Sequence, residues 1–472
     1  MSHRGNEIRI MKTKRLIMGA VLMIPCLAFA QQPLSLDECR QLAVKNNKSL
    51  QISSEKINVA DNNKSEAFTK YFPQVSAKGA YLWNQKDLNL LDMDQLGAAI
   101  GSQLGGLSQL PMVQNAYSMV NDVQHLDITN IWIGNIALVQ PVFMGGKIIT
   151  YNQITQYAKD LAKSMHETEL QGLLYKTDET YWQVVSLVNK KKLADKYVSL
   201  LEKMDSDISQ MIDQGLATKA DGLSVKVKLN EAQMTQTKVD NGLSLTRMLL
   251  AEICGLPIND SIRLADEDID RVPYNTPESN ADINEAFMNR SELKSLETAT
   301  KIYQKKERLV LADLLPNVAL AANYFVTNPS FFNGFKNKFG GMFNVGVLVS
   351  IPMSDWWGGT YKRHAAKAET TIANLQLADA RDKIELEVNQ SVYKVNEAKK
   401  KLTASSKNME NAEENLKDAN FGFNEGVIPA LNLMEAQTGW VKAKSELIDS
   451  EIEVKLTNIY LDKAMGRLSL NN

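Results

Sequence analysis

Two stretches of this chain carry apolar residues at alternating threes and fours for far longer than a globular helix does. From Lys147 to Gln214 there is no proline and a single glycine, Gly172. After a break at Gln214-Gly215-Leu216-Ala217-Thr218-Lys219-Ala220-Asp221, apolar positions resume at Val225, Leu229, Ala232, Val239 and Leu243. That spacing predicts a coiled-coil seam, interrupted by one polar residue, Gln236. A run of roughly 60 residues at ~1.5 Å each reaches ~90 Å, so the break is expected to be the tip of a long hairpin. Gly215 suits the left-handed residue that ends the ascending helix, and Thr218 suits the cap of the descending one. The order returns downstream: Thr360 to Phe421 has neither Gly nor Pro, and the break is Glu425-Gly426-Val427-Ile428-Pro429-Ala430-Leu431-Asn432. After it, Ala436, Trp440, Ala443, Leu447 and Val454 repeat the seam.

Shorter patterns precede each hairpin. Leu34 to Phe72 reads as a helical region with Leu36, Cys39, Leu42 and Ala43 on one apolar face, Asp37 and Glu38 in its first turn, and Pro73 ending it. Val75, Ala77, Gly79, Tyr81 and Trp83 then alternate with Gln74, Ser76, Lys78 and Ala80, a period of two that predicts a strand. A second strand is expected from Asn130 to Phe143, closing on Pro141 and the turn pair Gly145-Gly146. Between the two strands lies a loop rich in Gly, Leu, Met and Asn, with room for a short helix. Its Gly97 and Gly101 form a GxxxG pattern in an apolar stretch too short for a membrane helix.

The arrangement is duplicated, which sets the domain organisation. Ala281 to Leu315 repeats the helical region and ends at Pro316; Val318, Leu320, Ala322 and Tyr324 repeat the alternation; Asn344 to Met353 is the fourth strand, with Gly358-Gly359 after it. Pro141 and Pro352, Gly215 and Gly426, and Gly255 and Gly466 are each separated by 211 positions, whereas Pro73 and Pro316 are separated by 243. The first strand pair therefore carries the longer loop. We expect a first repeat over 31–258, a linker rich in Asp, Pro and Asn over 259–280, and a second repeat over 281–472.

Composition narrows the class. The chain has 472 residues, 44% hydrophobic and 23% charged, with a net charge of −2, a balance that gives no reason to invoke nucleic acid. Mean hydropathy is −0.26, and beyond the N-terminus no apolar run approaches the ~20 residues of a membrane helix. Residues 1–30 read as an export signal: Lys12, Lys14 and Arg15, an apolar Leu16 to Leu27, and Ala28-Phe29-Ala30 before the cut, with Met11 a better start than Met1. Cleavage leaves Cys39 and Cys254, which can pair in an oxidising compartment or persist as two buried thiols. His125, His166 and His364 are isolated, and no nucleophile elbow, phosphate loop, dinucleotide fingerprint or metal spacing is present, so neither an enzyme, a cofactor nor a metal is expected.

Each half thus offers two strands of roughly ten residues, the length of a tilted membrane strand. Four strands cannot enclose packed side chains, which takes about eight. An open edge is not viable in lipid. The expected fold is therefore an α+β membrane protein with internal duplication, its barrel shared among symmetric copies and continued by the amphipathic helices. The competing reading is a small soluble sheet on a structural helical stalk.

The run of Leu34-Ser35-Leu36-Asp37-Glu38, Tyr71-Phe72-Pro73-Gln74-Val75, Gln140-Pro141-Val142-Phe143-Met144-Gly145-Gly146 and Gly215-Leu216-Ala217-Thr218, duplicated in degenerate form, resembles the TolC family of outer-membrane efflux proteins across essentially all of the mature chain. The resemblance implies a homotrimer: a twelve-stranded transmembrane β-barrel, four strands per chain, in outer-membrane lipid, continued by a periplasmic α-helical barrel. It implies docking to a periplasmic adaptor (membrane fusion protein) and an inner-membrane transporter, and export of small molecules such as drugs. The alternatives are the outer-membrane component of a type I protein secretion system, or a periplasmic coiled-coil adaptor, whose flanking β-rich domains this chain lacks. Carried over by position, Gly215, Leu216, Ala217, Thr218, Gly426, Val427, Ile428 and Pro429 would contact the adaptor. Asp221, Phe423, Asn432 and Glu435 would line the periplasmic aperture. Asn432 lacks a carboxylate and Ile428 stands where an arginine would complete a closing salt-bridge network. The plain alternative for these polar residues is that they are solvated turn positions.

Overall fold

The computed structural model describes residues 33–85, 128–259, 261–268, 281–334 and 336–470, with isolated positions between 88 and 126. The export segment 1–30 and the Gly97/Gly101 pattern lie outside the described residues. Six elements occur twice in the same order. The first set is α1 (Leu36–Asn46), α2 (Lys48–Thr69), β1 (Gln74–Trp83), β2 (Asn130–Met144), α3 (Lys147–Asp213) and α4 (Lys219–Ile253). The second is α5 (Ile283–Asn289), α6 (Ser291–Ala312), β3 (Asn317–Asn328), β4 (Gly340–Ser350), α7 (Asp355–Asn424) and α8 (Ala430–Ala464). With 67 and 70 residues, α3 and α7 each span about 100 Å.

The single helical region expected over 34–72 is two helices. Ser35 opens α1 with a capping box closed by Glu38, and the chain then turns extended at Asn47, ψ 128°. The Asn47 side chain accepts from the backbone N–H of Ser49 and Leu50, which starts α2 as an N-cap does. Its amide donates to the Ile253 carbonyl at 3.4 Å, fastening the break to the end of α4. Arg290, 243 positions on, breaks the second region at ψ 114° and donates to the Ala464 carbonyl at 3.0 Å.

The four strands form one antiparallel sheet in the order β1-β2-β3-β4. Tyr81 pairs with Trp132 in the first hairpin and Tyr324 with Phe343 in the second, the same register once 243 and 211 are applied. Ile136 pairs with Tyr324 where the repeats join. A bulge at Pro141 to Phe143 absorbs the proline, which cannot donate to a ladder. The fourth strand, expected over Asn344 to Met353, lies three to four residues earlier. Its start is fixed by pairing of Gly340 with Thr327, and its end loses the ladder where β3 begins. Gly358 and Gly359, which follow the fourth strand, lie inside α7. A Cβ at Gly359 would sit 2.5 Å from Leu314 Cδ2, so glycine permits the approach of α7 to the end of α6.

The main core lies midway along the helices. Tyr181, Trp182, Val184 and Val185 of α3 pack with Leu243 and Leu250 of α4 and with Ile452 and Ile459 of α8. The described part of the segment after α4 is packed too: Ile262 and Leu264 are buried, and Leu34 bonds to both Arg263 and Ala265. Cys39 and Cys254 are free, buried thiols, with Cys254 Sγ 3.6 Å from the Cys39 carbonyl. Beside them, Arg40 makes a bidentate pair with Asp178 at 2.8 and 2.7 Å.

Candidate docking tips and aperture

Both hairpins turn by the same device. Gly215 takes φ +75° and Gly426 φ +70°, a conformation open to glycine at little cost. Leu216 N–H donates to the Met211 carbonyl and Gly215 N–H to that of Ile212; Val427 and Gly426 do the same to Gly422 and Phe423. These paired bonds are a Schellman ending. The residue after the glycine in such a motif commonly packs back on its own helix, yet Leu216 is 70% and Val427 76% exposed. Two aliphatic side chains therefore project from the extreme end of the molecule.

Behind them the tip is closed by apolar packing. Ala217, Phe423 and Ile428 pack against a cluster of Met204, Ile208, Val225, Leu433 and Met434. Phe423 and Ile428, placed by the resemblance at the aperture and the adaptor surface, are thus half-buried supports of the turn. Asp221 is committed locally: its Oδ2 accepts from Thr218 N at 2.9 Å and Thr218 Oγ1 at 2.6 Å, a capping box at the start of α4. Those bonds hold its carboxyl below the ordinary value. The motif Thr218-x-x-Asp221 is legible as a cap in the sequence. In the second hairpin the cap position is Pro429, which makes no side-chain cap bond and has no N–H to be satisfied. The carboxylate missing at Asn432 therefore has no capping task there. Glu435 is exposed one turn further along α8, between buried Met434 and Ala436.

No helix among the described residues is long and apolar enough to cross a membrane. The strands carry the exposed apolar surface instead: Val345, Val347, Leu348 and Val349 of β4 are each more than half exposed. Residues 283–467, nearly all of the second repeat, match the family model described as outer membrane efflux protein. It is over this repeat that the chain resembles outer membrane efflux proteins. No curated protein matches it in sequence, whereas solved structures match along almost its whole length. The Campylobacter jejuni CmeC outer membrane channel is 11% identical with a TM-score of 0.74, covering 92% of this chain and 85% of CmeC. The outer-membrane channel OprN is 14% identical with a TM-score of 0.72, covering 92% and 90%. The open state of the Neisseria gonorrhoeae MtrE outer membrane channel is 13% identical with a TM-score of 0.68, covering 91% and 88%. The four-stranded sheet and long helical hairpins of this chain share the fold of these outer-membrane channels.

Proposed function

We propose that three copies of this chain close a twelve-stranded barrel and form the outer-membrane channel of a tripartite efflux system, exporting small molecules such as drugs. The observation that carries the reading is the pair of open sheet edges. All ten residues of β1 are exposed, as are all of β4 after Gly340, and an unpaired edge in lipid forfeits several kcal/mol per orphaned backbone group. Joining β4 of one copy to β1 of the next removes both edges at once. In this assembly Gly215 to Thr218 and Gly426 to Pro429 form the ring that meets the periplasmic adaptor, which links the channel to an inner-membrane transporter. Asp221, Phe423, Asn432 and Glu435 surround the narrow end. Leu216 and Val427 supply the apolar contacts, while Glu435 faces the passage.

The mass of the purified protein in mild detergent, measured by light scattering, is expected to be that of three chains. A monomer or dimer mass overturns the assembly. Deletion of the gene is expected to raise drug accumulation in cells, and unchanged accumulation of every drug tested removes the small-molecule cargo.

A further inference from the structure

The two ends of the first repeat meet at one point. Helix α1 opens the repeat and the C-terminus of α4 closes it, and they approach so nearly that a Cβ on Gly255, φ +66°, would stand 2.4 Å from Asn46 Cβ. Asn46 Nδ2 donates to the Cys254 carbonyl at 3.1 Å, and Asn47 Nδ2 donates to that of Ile253 at 3.4 Å. Glycine and two side-chain bonds therefore hold the backbones side by side without any help from sulfur.

Cys39 and Cys254 stand at this junction. Cys26 falls in the export segment, so the processed chain keeps two cysteines, and these two, 215 positions apart, come into one contact. Both are fully buried in a cluster that includes Leu250, Ala251 and Leu264. The Cys254 thiol beside it, and then burial, push the Cys39 thiol up. A dry thiol with a raised pKa is a poor nucleophile, so any oxidation here belongs to the folding chain, before the junction closes.

The second repeat closes the same junction with other chemistry. Gly466 lies against Asn289 as Gly255 lies against Asn46, and Arg467 grips Glu285 there with two bonds of 2.8 and 2.5 Å. The equivalent positions of the first repeat, 211 and 243 earlier, are Leu256 and Leu42, which cannot pair by charge. By the same offsets Cys254 and Cys39 correspond to Met465, which is buried, and Asp282, which caps α5. The first repeat thus lacks the ion pair that fastens the second and carries a thiol pair at its junction.

We propose that Cys39 and Cys254 are a disulfide site, joined in the exported protein so that the first repeat is covalently closed from α1 to the end of α4. The inference rests on the outer-membrane reading above, which puts the folding chain in an oxidising compartment. The oxidant is a protein dithiol in its disulfide form. The thiolate of one cysteine attacks that disulfide and releases one of its sulfurs as a thiol; the thiolate of the other then displaces the second sulfur from the mixed disulfide. Two electrons and the two thiol protons pass from this chain to the oxidant, which leaves as its dithiol. Closing so long a loop removes freedom from the unfolded chain, whereas the Arg467–Glu285 pair of the second repeat remains partly open to water.

Thiol counting on the full chain tests the bond. Cells are quenched in acid, fractionated, and the protein is denatured and treated with maleimide-linked polyethylene glycol before and after reduction. No label before reduction and two after it are expected, while Cys39→Ser and Cys254→Ser should each take one label without reduction. After trypsin, the peptides Gln31–Arg40 and Met248–Arg263 are expected as one linked species, two hydrogens lighter than their sum. Two labels without reduction on protein from the outer-membrane fraction overturn the disulfide and leave the channel reading standing. Covalent dimers that dissolve on reduction place the bond between copies and overturn the pairing within the chain. Label on every cysteine of a protein retained in the cytoplasm overturns the disulfide and the channel reading together.

Discussion

Asp178 and Asp221 show how differently one side chain is used at two places in this molecule. Asp178 is fully buried in the core, where burial pushes its carboxyl up and the two hydrogen bonds from Arg40 oppose that. Removing one member of such a pair strands the other charge in a dry site, at about 3–5 kcal/mol. Asp178→Ala is therefore expected to lower the thermal midpoint markedly, while Arg40→Met with Asp178→Leu recovers much of the loss; an unchanged midpoint in the single variant would contradict the burial. Asp221 is half-exposed at the tip, and its bonds to Thr218 hold its carboxyl below the ordinary carboxylate range. A depressed carboxyl contributes stability that is complete above the unfolded pKa and is lost as pH falls through the folded one. Amides at the start of α4 should thus exchange at their protected rate at pH 5 and faster below pH ~3, by hydrogen exchange corrected for intrinsic rates. Asp221→Asn should show the fast behaviour at both.

At the scale of elements, the long helices and the strands were legible because their periods differ and each persists. Ten residues of alternation around Val75 leave one strand phase, and a run of over sixty residues without proline leaves one kind of helix. The break at Asn47 was not legible, since helical spacing continues on both sides of it and an asparagine within a helical run is ambiguous. The carbonyl of Ile253, some two hundred positions away, decides it. The ends of β4 were likewise decided by its partner β3. The tips combine both cases: Gly215 and Gly426 announce the turn, yet only the packed structure separates the supporting Ala217, Phe423 and Ile428 from the projecting Leu216 and Val427. Leu216→Asp with Val427→Asp is accordingly expected to abolish efflux while the trimer keeps its mass, because these side chains make little contact within the chain. Normal drug resistance in that variant would remove the tips from adaptor contact.

For the whole molecule, the proposed threefold assembly would turn a single exposed carboxylate into a ring. With Asn432 neutral, Ile428 apolar and Asp221 bonded to Thr218, Glu435 is the main acidic side chain left among the aperture candidates Asp221, Phe423, Asn432 and Glu435. The channel in planar bilayers is therefore expected to be cation-selective and partly blocked by di- or trivalent cations from the periplasmic side. Glu435→Gln should weaken both effects without disturbing assembly, as an exposed carboxylate contributes little to folding. Equal selectivity and block in that variant would turn the side chain away from the passage and favour the solvated-turn reading.

The sequence by itself determined the main elements and their duplication, because backbone period, proline and glycine act within a few residues of where they stand. It also placed the landmarks 211 positions apart, from which the equivalence of the repeats follows. Only the tertiary structure decided which thiols lie side by side, that Asp178 answers Arg40 across 138 positions, and that Asp221 serves its own helix. It alone showed which faces of α4, α7, β1 and β4 remain uncovered. These are contacts between segments far apart in the chain, and local periodicity carries no record of the partner that a buried face will find.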